Sequence, residues 1–94
     1  MSRYFGFPTV AALRTALREF ALSKGDALYN YSSRRSCAFA QFLGAQGISH
    51  IGVGPYDVFV RGRGRDPVKI PVKISNALRG EPETFAALAE RLEA

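Results

Sequence analysis

The residues best suited to chemistry are three arginines separated by single glycines, Arg61-Gly-Arg63-Gly-Arg65. A guanidinium binds a phosphate or a carboxylate through two parallel hydrogen bonds, and a neighbouring glycine lets the backbone approach an anion closely. Because alternate residues of an extended segment point to one side, the spacing predicts that the three guanidinium groups project together toward an anionic partner. The alternative is a solvated hairpin loop whose arginines serve solubility.

Other basic and aromatic residues extend this candidate site. Arg34 and Arg35 lie at the start of a predicted helix, where backbone N–H groups favour anions, and two lysines follow the arginine repeat. Tyrosines beside these cations could stack on nucleic-acid bases, although packing in the core is the alternative. The predicted partner-binding or nucleic-acid-binding residues are Arg61, Arg63, Arg65, Arg34, Arg35, Lys69, Lys73, Tyr31 and Tyr56.

Catalytic and metal-binding patterns are weak. Cys37 follows Arg34 by one helical turn, which can lower a thiol pKa, and His50 would be its base in a Cys-dependent enzyme. Cys37 also falls on an apolar stripe, so we expect a small buried hydrophobic residue instead. One Cys and one His make no zinc site of the Cys/His type, and no nucleotide-binding glycine motif is present. We therefore expect no enzyme activity, no cofactor and no metal.

The composition narrows the class of protein. The chain has 94 residues, a net charge of +5 and 47% hydrophobic residues, which is typical of one globular domain spanning 1–94. A single cysteine forbids an internal disulfide. No apolar run reaches the roughly 20 residues that cross a bilayer, and the N-terminus does not resemble a signal peptide. We expect a cytoplasmic protein without membrane contact.

Two helices are predicted in the first half of the chain. The first covers 9–24, with Thr9 as N-cap and Gly25 as stop signal. The second covers about 33–46, with Ser32 or Ser33 as N-cap, and ends at Gly44 or Gly47. Joined by about eight residues, the two helices are expected to pack against each other.

The second half predicts a small sheet and one or two further helices. A weak strand over 48–53 and a better one over 56–61 flank a turn at 52–56. The segment 68–78 fits a strand or a helix; we favour an edge strand near 67–70 and a short helix near 71–79, closed by Gly80. A last helix begins near 82–84. The predicted fold class is α+β: a single small domain of three to four helices on a short antiparallel β-sheet.

Part of the chain resembles a family of short proteins. The runs are Tyr29-Asn30-Tyr31, Ser36-Cys-Ala-Phe-Ala-Gln-Phe-Leu43 with Gly47, and Thr84-Phe-Ala-Ala-Leu88 with Leu92. They resemble short uncharacterised proteins of bacteriophages and mobile elements of proteobacteria, over about half of the chain. The size and single domain are also similar to anti-CRISPR proteins. This resemblance implies a non-enzymatic protein that blocks a host complex by covering a working surface.

The sequence thus favours one function and leaves a second open. The first is a phage-type binding protein that inhibits a host nucleoprotein complex, such as a CRISPR effector, by occupying a surface. A net charge of +5 disfavours mimicry of DNA, so the chain would meet an acidic protein patch, RNA or DNA. The alternative is a small basic nucleic-acid-binding protein that contacts phosphates through the Arg-Gly hairpin. The oligomeric state stays open, and a dimer is compatible with the sequence.

Overall fold

Four helices and a three-stranded antiparallel sheet make up the computed structural model, which describes residues 4–33, 36–60 and 67–93. The predicted α+β class is confirmed. The strands follow the order β1-β2-β3 in the sheet. In chain order the elements are α1 (Val10–Lys24), α2 (Ala38–Ala45), β1 (His50–Val53), β2 (Asp57–Val60), β3 (Val68–Lys69), α3 (Val72–Leu78) and α4 (Phe85–Glu93).

Helix α1 forms as its sequence predicts. Thr9 is the N-cap, and its Oγ1 accepts a hydrogen bond from the Ala12 N–H at 3.0 Å. The buried face repeats every four residues, and Gly25 ends the helix at a φ of +60°. The helix contacts α2, as expected, but its most extensive packing is along α4. The ion pair between Arg18 and Glu93, 2.8 Å long, lies on that second interface.

Helix α2 begins at Ala38, so the prediction of a start near residue 33 is wrong. Ser33 does not cap it; its Oγ accepts from the Ser36 N–H at 3.0 Å in a preceding turn. Such local side-chain bonds compete with helix formation. The N-cap is Cys37, whose Sγ accepts from the Ala40 N–H at 3.5 Å.

The end of α2 explains why β1 starts late. Gly47, at a φ of +75°, donates to the Gly44 carbonyl, and the Ile48 N–H donates to the Leu43 carbonyl at 3.0 Å. These two bonds are the Schellman arrangement, which makes Gly47 the terminating glycine. Because Ile48 belongs to this cap, β1 begins at His50 rather than at 48.

The sheet buries one face and exposes the other. Val53, Val58 and Val68 lie in one cross-strand row on the buried face. Phe59 and Lys69 alternate onto the exposed face. β2 begins at Asp57, one residue later than predicted, because Tyr56 belongs to the preceding turn. The predicted last residue of that strand, Arg61, lies outside the described residues.

The ambiguous segment is a strand followed by a helix, as favoured. Pro71 takes the N-cap position of α3 rather than the first helical position; Arg79 is its C-cap, and Gly80 follows directly, as expected. Gly80 has another role. A Cβ atom at that position would lie 2.5 Å from Nε of Arg91, so glycine leaves room for this guanidinium.

A polar cluster closes the C-terminal end of α3. Arg91 of α4 donates through Nε to the Ala77 carbonyl at 2.7 Å, through Nη1 to the Pro82 carbonyl, and through Nη2 to the Tyr29 hydroxyl. Tyr29 in turn donates to the Leu78 carbonyl at 2.8 Å. The last carbonyls of α3 are thus satisfied by side chains, and a cation stands where the helix dipole favours one.

Replacing Arg91 by methionine, which keeps the apolar stem, is expected to lower the free energy of unfolding by about 2–3 kcal/mol, because a charged donor is lost and the Ala77 carbonyl loses its partner. Urea denaturation measures this. Arg14→Met is the control, since Arg14 forms no hydrogen bond or ion pair with any residue that the structure describes. Equal losses for the two variants would contradict the role assigned to Arg91.

Candidate functional site

The positive charge of this chain is concentrated in segments outside the described ranges. Seven of the 13 basic residues and seven of the eight acidic residues lie within 4–33, 36–60 and 67–93, so this part is neutral. The net +5 therefore belongs to the remaining residues. Their charged members are Arg3, Arg34, Arg35, Arg61, Arg63, Arg65 and Asp66. That the arginines at 61, 63 and 65 project together stays a prediction.

The described residues next to the two candidate arginine segments lie at opposite ends of β2. Tyr31 and Ser32, which precede Arg34, border the turn between β1 and β2. Val60, which precedes Arg61, is the last residue of β2. A strand of four residues spans about 10 Å, so the two ends of β2 are separated by about this distance.

A groove lies beside that turn, between the sheet and α3. The turn and the strands contribute one wall, and the exposed side of α3 contributes the other. Its volume is about 260 Å³. The lining residues are Tyr56, Asp57, Lys69, Ile70, Val72, Ser75, Asn76 and Arg79.

Tyr56 and Arg79 form a stacked pair in this groove. Cζ of Arg79 lies 5.1 Å from the centre of the Tyr56 ring, and Nη1 donates to the Tyr56 hydroxyl at 3.0 Å. Nη2 of Arg79 donates to Oδ1 of Asn76, one helical turn earlier, at 2.7 Å. Even with this cover Tyr56 is 56% exposed. The pair therefore offers a planar, cationic surface to a ligand.

Backbone contacts hold this surface in place. The Ile70 N–H donates to the Tyr56 carbonyl at 2.8 Å, which ties the turn to the end of β3. The buried hydroxyl of Ser75 donates to the Pro55 carbonyl at 2.8 Å, which ties the turn to α3. The Gly54 N–H donates to the Asp57 carbonyl at 2.7 Å and closes the turn.

The groove carries more positive than negative charge. Lys69 is exposed and lies opposite Asp57 in the register of β2 and β3. Lys69 makes no ion pair with any residue in the described ranges. Lys73 is exposed on α3 but does not line the groove. Of the predicted site residues, the structure thus brings Tyr56 and Lys69 together and places Lys73 outside the groove.

Tyr31 lies on the other side of the same turn. It is half-buried against the core, and its N–H donates to Oε1 of Glu83 at 2.9 Å. Its hydroxyl is buried and has no hydrogen-bond partner among the described residues. Together with Ser32 and the residues 53–55 it lines a second depression of about 260 Å³. The side chain of Tyr31 therefore packs mainly against the core. Of the two predicted site tyrosines, Tyr56 is the one whose ring is available for stacking.

Arg79 is the site residue that sequence reasoning missed. The usable signal was the spacing of Val72, Asn76 and Arg79, which places them on one exposed side of a helix at i, i+4 and i+7. The periodicity of the sequence does not predict that this side of the helix contacts Tyr56, because Tyr56 and Arg79 are 23 positions apart in the chain.

Cys37 is not suited to act as a nucleophile. It is 5% exposed, and burial raises the pKa of its thiol, with the backbone N–H groups of Ala40 and Phe39 opposing in part. A nucleophilic cysteine needs the opposite shift. Nδ1 of His50 lies 3.4 Å from the Ile48 carbonyl oxygen. Across the described ranges, no group of three His, Cys, Asp or Glu side chains converges as metal ligands would, and no helix has the length and apolar character to span a membrane.

Known proteins offer no further guide. No protein-family model, curated protein or solved structure matches this chain.

Two buried groups predict a loss of stability at alkaline pH. Burial raises the pKa of Tyr29, against the opposing effect of Arg91, and burial also raises the pKa of Cys37. As pH rises, the unfolded chain releases these protons first, the thiol from about pH 8.5 and the phenol from about pH 10. The stabilising contribution is therefore complete below about pH 8 and is lost as pH rises through the folded-state pKa values.

We expect the urea midpoint to fall between about pH 8 and pH 10, and to fall less for Cys37→Ala, which retains only the tyrosine contribution. Urea denaturation across this pH range measures both slopes. A midpoint that rises over this range, or a Cys37→Ala slope equal to that of the original chain, would contradict the assignment.

Proposed function

We propose that this chain is a non-enzymatic binding protein that inhibits a nucleoprotein complex by occupying one of its surfaces, as an anti-CRISPR protein would. One observation carries the proposal. An exposed aromatic–guanidinium pair, Tyr56 with Arg79, lines a groove beside Lys69, on a domain whose described residues carry no net charge when these two cations are included.

The distribution of charge supports a binding role. The described residues balance their own charges, so the net positive charge of the chain comes from the residues outside them, which include the arginines at 34, 35, 61, 63 and 65. Arginine is suited to phosphate and carboxylate groups alike. A nucleoprotein complex presents phosphates beside protein surface, which fits a groove that combines cations, an aromatic ring and apolar side chains.

The buried thiol supports the non-enzymatic part of the proposal. Cys37 was the one nucleophile that the sequence singled out, and it lies in the core with a raised pKa. Its Sγ accepts a hydrogen bond from the Ala40 N–H at the start of α2, so the residue has a structural role. A change of Cys37 is therefore expected to affect stability rather than binding.

A second function is favoured by the stacked pair itself. Aromatic rings with arginine neighbours are the platform on which small proteins bind single strands without a protein partner. In this second view the chain binds free nucleic acid, and its affinity falls steeply with added salt. The two functions differ in whether a protein is recovered once nucleic acid is removed.

Affinity capture separates the two functions. The tagged chain is incubated with a proteobacterial lysate, of which half is treated with nuclease. The proposal predicts that a defined set of proteins is recovered from both halves, with nucleic acid only in the untreated half. Recovery of nucleic acid alone would establish the second function, and recovery of neither would overturn both.

Matched charge variants make the capture specific. Arg63→Gln with Arg65→Gln is expected to reduce recovery of the partner at least about tenfold, as the loss of two phosphate or carboxylate contacts would. Arg14→Gln with Lys24→Gln removes the same charge from α1 and is expected to change recovery less than about twofold. An equal loss for both pairs would show that net charge, and not this site, governs binding.

A further inference from the structure

We infer that the groove between the sheet and α3 takes one unpaired nucleobase of a single-stranded nucleic acid, stacked on the Tyr56–Arg79 pair with its backbone phosphate against Lys69. This inference rests on the proposed function and names the part of the partner that the groove contacts.

The size and lining of the groove suit a single planar ring. Its volume of about 260 Å³ lies below the range of about 300–1,000 Å³ that drug-sized ligands need. Val72 is 73% exposed at one wall and supplies an apolar surface. A base is flat and apolar on its faces and polar at its edge, so it matches a narrow groove with these walls.

The stacking surface exists before any ligand arrives. Tyr56 is held through its carbonyl by the Ile70 N–H, and Arg79 is held by Asn76 and by the tyrosine hydroxyl. A base that stacks here orders few additional side chains, which lowers the entropic cost of binding. Every base has a π-face, so stacking alone gives affinity with little sequence preference.

Asp57 adds a chemical preference at the edge of the base. Asp57 lines the groove and is half-buried. A carboxylate only accepts hydrogen bonds, so at the edge of a stacked base it favours an exocyclic amino group. Cytosine offers such an N4 amino group, whereas thymine has an O4 acceptor at that position. We therefore expect cytosine to bind better than thymine.

Fluorescence anisotropy with labelled oligo(dC) and oligo(dT) of about twelve nucleotides, a length that small single-strand binders cover, tests the inference. The original chain is expected to bind oligo(dC) more tightly than oligo(dT). Tyr56→Ala is expected to weaken binding of oligo(dC) about 5- to 100-fold, the range that corresponds to the loss of one stacked base.

Two variants serve as controls for this loss. Phe59→Ala removes another exposed aromatic ring that does not line the groove, and it is expected to change affinity less than about twofold. Tyr56→Phe keeps the ring but loses the hydroxyl bond to Arg79, and it is expected to retain most of the affinity. Thermal melting confirms that each variant is folded.

Asp57→Asn tests the base preference separately. The Asp57 backbone carbonyl still closes the turn in this variant, and an asparagine amide can both donate and accept. We expect the ratio of oligo(dC) to oligo(dT) affinity to approach one, while the total affinity rises because a negative charge is removed. An unchanged ratio would overturn the role of Asp57.

An acidic peptide is the competing occupant, and labelled oligo-glutamate of similar length is its probe. Binding of oligo-glutamate that depends on Tyr56, or binding of oligo(dC) that Tyr56→Ala leaves unchanged, would overturn the inference. Either result leaves the proposed function standing if the lysate capture still recovers a protein partner through the arginines. Loss of that capture would instead remove the proposed function.

Discussion

The rest of the structure depends on the hydrogen bonds that the guanidinium of Arg91 forms. It joins α4, the segment that contains Tyr29, and the last carbonyls of α3 in one hydrogen-bonded cluster. Gly80 makes this approach possible because any side chain there would occupy the space of the guanidinium. Arg79 follows directly after α3, so the cluster that ends this helix also sets where Arg79 meets Tyr56.

An apolar and aromatic core holds the helices of this protein together. A chain of aromatic contacts links the N-terminal segment, α1, α2 and α4 through Phe5, Phe39, Phe42, Phe20 and Phe85. This apolar framework explains how a small domain orders itself without a disulfide. The net positive charge of the chain belongs to residues outside the described ranges.

The sequence predicted most of the helices and strands because their local signals are strong. Thr9 and Gly25 mark both ends of α1, and alternation identified β2. The start of α2 was missed because a cysteine is a rare N-cap and the serines before it compete as caps. The packing of α1 against α4 was missed because the apolar periodicity of a helix indicates which of its sides is buried but does not indicate which other helix packs on that side.

The candidate site was only partly predictable for a related reason. Tyr56 and Lys69 were found from their residue types beside the arginine repeat. Arg79 and Asn76 belong to the same groove, but they reach it only through the packing of α3 against the turn, which depends on contacts distant in sequence. The chemistry of an individual residue can be read from the sequence. The pairing of an aromatic ring with a guanidinium from another element can be seen only in the folded structure.

A map of the residues that respond when a single strand binds tests the stacking groove directly. In ¹H–¹⁵N spectra of the labelled chain titrated with oligo(dC), we expect the largest shifts at the backbone amides of Tyr56, Asp57, Ile70 and Asn76. Shifts confined to α1, which contributes no residue to the groove, would contradict this expectation.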